Sequence, residues 1–323
     1  MKKPEITNAV LRKDMLLDMK RPKIFILLLA ISLITIGMML FMLGIIVLSA
    51  VSGDGALMSP RYMITFLCFM LWMIEMAIIF LIPALTAGSV SIEKERQTLE
   101  VLLTTRMTTW QIVTGKYFST VFLVSLLIIS TIPVLCSTFL YGGINVWQMF
   151  ILLCVLITTV VFFASFGVFF SSLIKNTILS VILTYIAVFA VLGITFTLTI
   201  TGMVGMLIFN EFLVDYIYDT FGKTVSNVVS GDIFITCLYL NPMVTLFDAI
   251  GQIFGYSIYD STPMYGIKDM EIFMHFTDKN ILLAGFPFFS VVSQLLVSFL
   301  LLRASAYFLK PVKKKAKKKI VRR

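Results

Sequence analysis

Six stretches of this chain are long, apolar and almost free of charge, and its polar residues gather in the gaps between them. Ile24 to Ala50 is the first and Tyr62 to Val90 the second, the latter interrupted only by Glu75. Tyr117 to Leu140, Val146 to Ile174, Ile178 to Phe209 and Ile281 to Leu302 complete the set. About 20 such residues cross the hydrocarbon of a bilayer. In lipid, a lone segment satisfies its own backbone only as a helix. The pattern therefore predicts an all-α integral membrane protein with six transmembrane helices in a single domain, 1–323. Lys2 and Lys3 resemble the start of a signal peptide, but the first apolar run begins late, is too long and has no A-x-A site. It reads as an uncleaved helix.

Three segments fall outside the spans. From Glu5 to Arg21, Ile6, Val10 and Leu17, with Ala9 and Leu16 beside them, lie near one helical face, while Arg12, Lys13, Asp14 and Lys20 lie elsewhere. This predicts an N-terminal interfacial helix within 1–23, turned into the first span by Pro22. A loop, 91–116, joins spans two and three. The long segment 210–280 precedes span six. Within it, Ile233 to Leu240 and Met243 to Tyr259 are apolar and separated by Asn241-Pro242. Each half is too short to cross comfortably, so re-entrant or interfacial helices are expected in place of two further spans. Gly251 and Gly255 form a lone GxxxG, which by itself says little about helix packing.

Composition agrees with the pattern. Hydrophobic residues make up 59% of the chain, charged residues 13%, and mean hydropathy is +1.00. A soluble domain carries about 25% charged residues, so a water-soluble core is excluded. The net charge of +9 becomes informative once it is placed along the chain. With both termini inside, 22 Lys and Arg fall on the cytoplasmic side. Only Arg61, Lys223, Lys268 and Lys279 fall outside. That asymmetry is the positive-inside signature of an even number of spans. No nucleic-acid-binding module is recognisable.

The loop after span two carries the most specific string. It contains Glu93, Glu95, Thr98, Leu99, Glu100, Leu102 and Leu103, then Ile112, Val113, Gly115 and Lys116. Glu93 and Glu95 suit the first turn of a short helix, and the leucines give it a sticky face. Trp110 suits the membrane interface, with Gly115-Lys116 leading into span three. This string resembles the first cytoplasmic loop of ABC-2 type transporter permeases, which reads Glu-x-Glu-x-Gly-Thr-Leu-Glu-x-Leu-Leu and later Ile-Val-x-Gly-Lys. Gln97 stands where the family usually has Gly, and Arg106 where Pro commonly follows a Thr-Thr pair. Gln favours a helix more than Gly does, so the helix is expected to survive both departures.

The resemblance implies that the loop holds a coupling helix docked on a separate ABC ATPase subunit, with Glu93, Glu95, Arg96, Thr98, Leu99 and Glu100 as the contact. It further implies the membrane subunit of an ATP-driven transporter, an exporter, in the cytoplasmic membrane of a bacterium. The permease would work as a homodimer or with a related second permease. The chain needs no cofactor of its own, since ATP belongs to the partner. No phosphate-binding loop of the form G-x-x-x-x-G-K-[ST] is present: Gly115-Lys116 is followed by Tyr117, and Trp110 stands where the first Gly would be. The chain is therefore not expected to be an enzyme. The rival readings are a stand-alone secondary transporter or channel, and a non-transporting scaffold or biogenesis factor.

Other residues invite chemistry. Glu75, in mid-span, costs on the order of 2.5–3.5 kcal/mol to insert. It is either a translocation-path carboxylate or a hydrogen-bonded link between helices. His275 lies among Asp269, Glu271 and Asp278, too scattered a set for a metal site, and no metal is expected. Cys68, Cys136, Cys154 and Cys237 read as small buried hydrophobes. The tail from Arg303 to Arg323, with nine basic residues from Lys310 onward, suits an anionic inner leaflet.

Overall fold

A computed structural model describes residues 22–51, 60–99, 104, 107–136, 145–221, 236–254 and 286–309. The described residues are helical, without strands. In chain order the helices are α1 (Pro22–Val51), α2 (Pro60–Thr86), the short α3 (Ser91–Glu95), α4 (Thr109–Cys136), α5 (Val146–Leu173) and α6 (Thr177–Phe221). A 3₁₀ turn (Thr236–Leu240) then leads into α7 (Pro242–Phe254), and α8 (Phe286–Phe308) follows. Three of these helices open on proline, whose missing N–H and fixed φ suit the first helical position.

Among the described residues, five helices are long and apolar enough to cross a membrane, their spans being Leu67–Glu95, Thr109–Cys136, Val146–Leu173, Thr177–Gly202 and Phe288–Phe308. The first apolar run is a continuous helix of 30 residues, α1. The structure thus supports a multi-pass membrane protein. The interfacial helix expected before Pro22, His275 with its acidic neighbours, and the basic tail from Lys310 all lie outside the described residues.

Several boundaries differ from those the hydropathy predicts. The fifth run was expected to end at Phe209, yet α6 continues to Phe221. Loss of apolarity ends a span but not a helix, and 210–221 contains neither Gly nor Pro. The helix of the third apolar run, α4, begins at Thr109, eight residues before Tyr117, because Thr108 and Gln111 cap it reciprocally. The Thr108 amide donates to Gln111 Oε1 at 3.0 Å, and the Gln111 amide donates to Thr108 Oγ1 at 3.3 Å. The last helix runs past Leu302 to Phe308.

α5 is the hub, touching α2, α4, α6, α7 and α8. Phe162, Phe163, Leu152 and Leu156 are fully buried on it. Small and hydroxylated residues let its neighbours come close: Thr159, Ser165, Gly167, Ser171 and Ser172 are also buried. α1 and α6 instead expose Leu33, Phe41, Ile186 and Phe196, as surfaces facing lipid do. The cysteines correct their expectation. All four are free, but Cys154 is exposed and the other three are half-buried. In a bilayer an apolar neighbourhood in the sequence can face lipid as well as the interior.

The 3₁₀ turn and α7 form a short helical hairpin in the segment expected to hold re-entrant or interfacial helices. Thirteen residues of α7 rise about 20 Å, short of the hydrocarbon, and Leu238, Asn241, Thr245, Leu246 and Ala249 are buried. Gln148, at the start of α5, donates to the Ile253 carbonyl at 3.1 Å. The hairpin therefore sits at the end of the bundle opposite the α2–α4 loop.

The closest approach is at Gly167. A Cβ built there would lie 1.7 Å from Thr86 Oγ1 and 2.5 Å from Thr86 Cβ, with backbone behind them at 3.2 Å. Gly167→Ala is expected to cost about 1–3 kcal/mol by overpacking and to lower the thermal midpoint in detergent. Gly193→Ala, with nothing within 4 Å, should not. Equal midpoints for the two variants would contradict this packing.

Candidate functional site

The loop that carries the family-like string begins where α2 ends. After Thr86 the chain turns through 87–90 and enters α3. The amides of Val90 and Ser91 are buried and need an acceptor, and both donate to Ser171 Oγ, each at 2.8 Å. The Ala87 carbonyl is likewise shared: Ser91 Oγ donates to it at 2.9 Å and Ser180 Oγ at 2.8 Å. Thus the end of α2, the end of α5 and the start of α6 meet at one knot of backbone and hydroxyl groups.

Two charged residues of α3 extend the knot. The Lys94 ammonium donates to the Ser172 carbonyl. Thr177 Oγ1 donates to Glu95 Oε2 at 2.6 Å. α3 then stops. Arg96 caps it, and Gln97 adopts φ 60°, in the left-handed region. This is the position where ABC-2 permeases usually carry Gly, the residue that takes this conformation at least cost. The short helix expected to survive the departure at Gln97 is present as α3 but does not run through it, because this position is left-handed and side-chain helix propensity does not govern it. The chain turns helical again at 98–99, where the Thr98 hydroxyl donates to the Glu93 carbonyl at 3.3 Å.

The far end of the string closes back on its beginning. Lys116 lies in the second turn of α4, buried, with its ammonium 2.7 Å from Glu93 Oε1. Ile112, Val113 and Gly115 are buried around it. Trp110 is half-buried, packs edge-on against Phe299 at 6.1 Å and lies under the Arg303 guanidinium, 4.9 Å from the ring centroid. The string 93–116 is therefore closed by an ion pair and pinned to the end of α8 by a cation–π contact.

The six residues expected to meet a partner are placed unequally. Glu95, Arg96 and Thr98 are exposed, Glu93 is partly buried in its ion pair, and Leu99 is buried in the core. Glu100, with Leu102, Leu103 and Arg106, lies outside the described residues. Beside the exposed three stand Ile92, 42% exposed, and Gln97. Glu75 is elsewhere, about 16 Å along α2 from Thr86. It is fully buried and accepts a hydrogen bond from Thr159 Oγ1 at 3.4 Å.

Sequence reasoning missed Ser171, Ser172, Thr177 and Ser180, which hold the loop from about 80 residues away. One signal was available. Only 174–176 separate α5 from α6, and the alternation of spans puts that elbow on the same side as the loop.

A family model described as an ABC-2 family transporter protein matches residues 8–307. No curated protein matches the chain.

Removing either partner of the Glu93–Lys116 pair strands a largely buried charge, which costs about 3–5 kcal/mol. Lys116→Met alone should therefore destabilise the chain and open 91–108 to limited proteolysis. The reversal Glu93→Lys with Lys116→Glu should recover part of the loss. A Lys116→Met chain as stable and protease-resistant as the wild type would count against the pair.

Proposed function

The chain belongs to the ABC-2 family of transporter proteins, and from that premise we propose that it is the membrane permease subunit of an ATP-driven exporter, powered by separate ABC ATPase subunits that dock on the 93–110 loop. The observation that carries this reading is the construction of the loop. Its ends are locked by Glu93 and Lys116, its base is fixed to α5 and α6, and its first turns present Ile92, Glu95, Arg96, Gln97 and Thr98 outward. A surface held this rigidly transmits displacement instead of absorbing it. An exposed apolar residue beside an Arg is also the composition of an interface anchor.

In this proposal α1 is a sixth span. Its 30 residues rise about 45 Å, and the distribution of Lys and Arg sets both termini in the cytoplasm. The permease acts as a dimer, with itself or with a related chain. ATP is bound and hydrolysed on the partner, and closure of the ATPases displaces the loop. Such displacement does work only through contacts that differ between the two states. Roles within the loop divide accordingly. Glu95, Arg96 and Thr98 face the ATPase together with Ile92, whereas Glu93 and Leu99 hold the loop in shape, and Glu100 continues the contact.

Glu75 is assigned here as a link between α2 and α5. Glu75→Gln keeps a group able to accept from Thr159 and should change stability by no more than about 1 kcal/mol while leaving transport intact. A Gln variant that folds normally but no longer transports would instead put Glu75 on the translocation path.

The docking itself is tested by affinity purification of the tagged chain from its own membranes in mild detergent. A stoichiometric P-loop ATPase is expected among the co-purifying proteins, reduced at least about tenfold by Arg96→Glu with Ile92→Asp, as removal of interface anchors implies. A wild-type chain that purifies alone would overturn the reading and favour a stand-alone transporter, channel or scaffold.

A further inference from the structure

α6 is held at separated points along its length and has the smallest buried share of the five apolar spans given above. At the loop end, Thr177 and Ser180 bond to Glu95 and to the Ala87 carbonyl. A turn further on, the Tyr185 hydroxyl donates to the Phe80 carbonyl at 2.7 Å, and Phe189 meets Phe80 edge-on at 5.9 Å. Toward the opposite end, Asn241 Nδ2 donates to Thr195 Oγ1 at 3.0 Å and to the Leu192 carbonyl at 3.4 Å. Of the spanning part of α6 only 17% is buried, against 61% for α5. A continuous helix with so little side-wall packing moves as a rod when one end is displaced.

The hairpin 236–254 lies between α6 and α8 and is fixed to the two differently. On the α8 side, Ser290, Ser293 and Gln294 all donate to the Tyr239 carbonyl, at 2.7, 3.1 and 3.3 Å. Gln294 Nε2 also donates to Thr245 Oγ1 at 2.9 Å. On the α6 side, the Asn241 amide reaches across. Asn241 is itself set by the hairpin: its Oδ1 accepts from the Met243 amide at 3.2 Å, and its carbonyl accepts from Thr245 Oγ1 at 3.0 Å. Each such bond is worth about 0.5–1.5 kcal/mol net. The clustered bonds to α8 therefore keep the hairpin on α8 when α6 shifts.

We infer that Asn241 is a clasp between the hairpin and α6, and that displacement of the 91–95 segment at one end of the bundle opens the Asn241–Thr195 contact near the other. Asn241 and Thr195 are then positioning residues that report the state of the loop to the hairpin. Ser180 and Thr195 are about 22 Å apart along the helix, so the signal crosses most of the hydrocarbon through one element. The inference rests on the reading of 91–116 as the segment that receives force.

The test uses the full chain alone in lipid nanodiscs, with its four cysteines replaced by serine. Spin labels are placed at Val204→Cys on α6 and Val292→Cys on α8, both exposed positions. The unaltered clasp should give one distance population. Asn241→Ala should add a second, shifted population, and so should Thr177→Val with Ser180→Ala at the loop end. Thr195→Ser, which keeps the hydroxyl, should not, and neither should Thr201→Val, whose hydroxyl bonds its own helix at Thr197. Where the paired loop-end variant folds poorly, Glu95→Gln serves as the milder change, with a smaller second population expected. An outer distance unmoved by the loop-end changes would overturn the inference, as would one unmoved by Asn241→Ala. The readout needs no ATPase, so failure of co-purification and failure of the clasp are separate results.

Discussion

Two backbone amides, those of Val90 and Ser91, are buried at the point where α2 gives way to α3, and a single hydroxyl, that of Ser171, accepts from both. An unpaired amide in such a place costs several kcal/mol, so the turn exists in this form only while α5 supplies that oxygen. The neighbouring arrangements follow from it. With the turn fixed, the Ala87 carbonyl points at Ser180, α3 aims Lys94 at the end of α5, and Glu93 meets Lys116. The loop is therefore a tertiary object, held by groups from three other helices, even though its sequence is local.

That distinction explains what could be read from the sequence. The apolar runs were legible because the bilayer imposes a length and a composition that any single segment must meet by itself. That 236–254 makes two short helical pieces was legible for the same reason, since 233–240 and 243–259 are too short to cross. Helix ends were less so. α6 outlasts its apolar run by twelve residues because nothing breaks it there, and α4 starts early because Thr108 and Gln111 satisfy each other. Gln97 misled in a different way. Its identity suggests helix, while its position demands the left-handed turn, and only the surrounding geometry decides between them.

The candidate site divides along the same line. The string 93–116 was recognisable, and its two ends, Glu93 and Lys116, were both part of it, yet nothing in the linear order pairs them. Ser171, Ser172, Thr177 and Ser180 look like any hydroxyls in apolar helices, where most such groups bond back to their own chain, as Thr158 and Thr184 do here. Those with a cross-helix partner are identified by who stands opposite. Leu99 is the reverse case. An apolar residue in a charged loop looks like a contact for something else, but it is folded inward.

The knot at the base of the loop also orders events during biosynthesis. Ribosomes deliver the motif at 93–116 well before Ser171 and Ser180, so for about 55 to 64 residues of elongation the nascent polypeptide holds the recognisable string without the hydroxyls that shape it. A truncated product ending before Ser171 would carry the signature in its sequence and lack it in space. The folded loop therefore marks progress of synthesis: its shape requires a chain whose fourth hydrophobic segment and the first residues of the fifth have already been made.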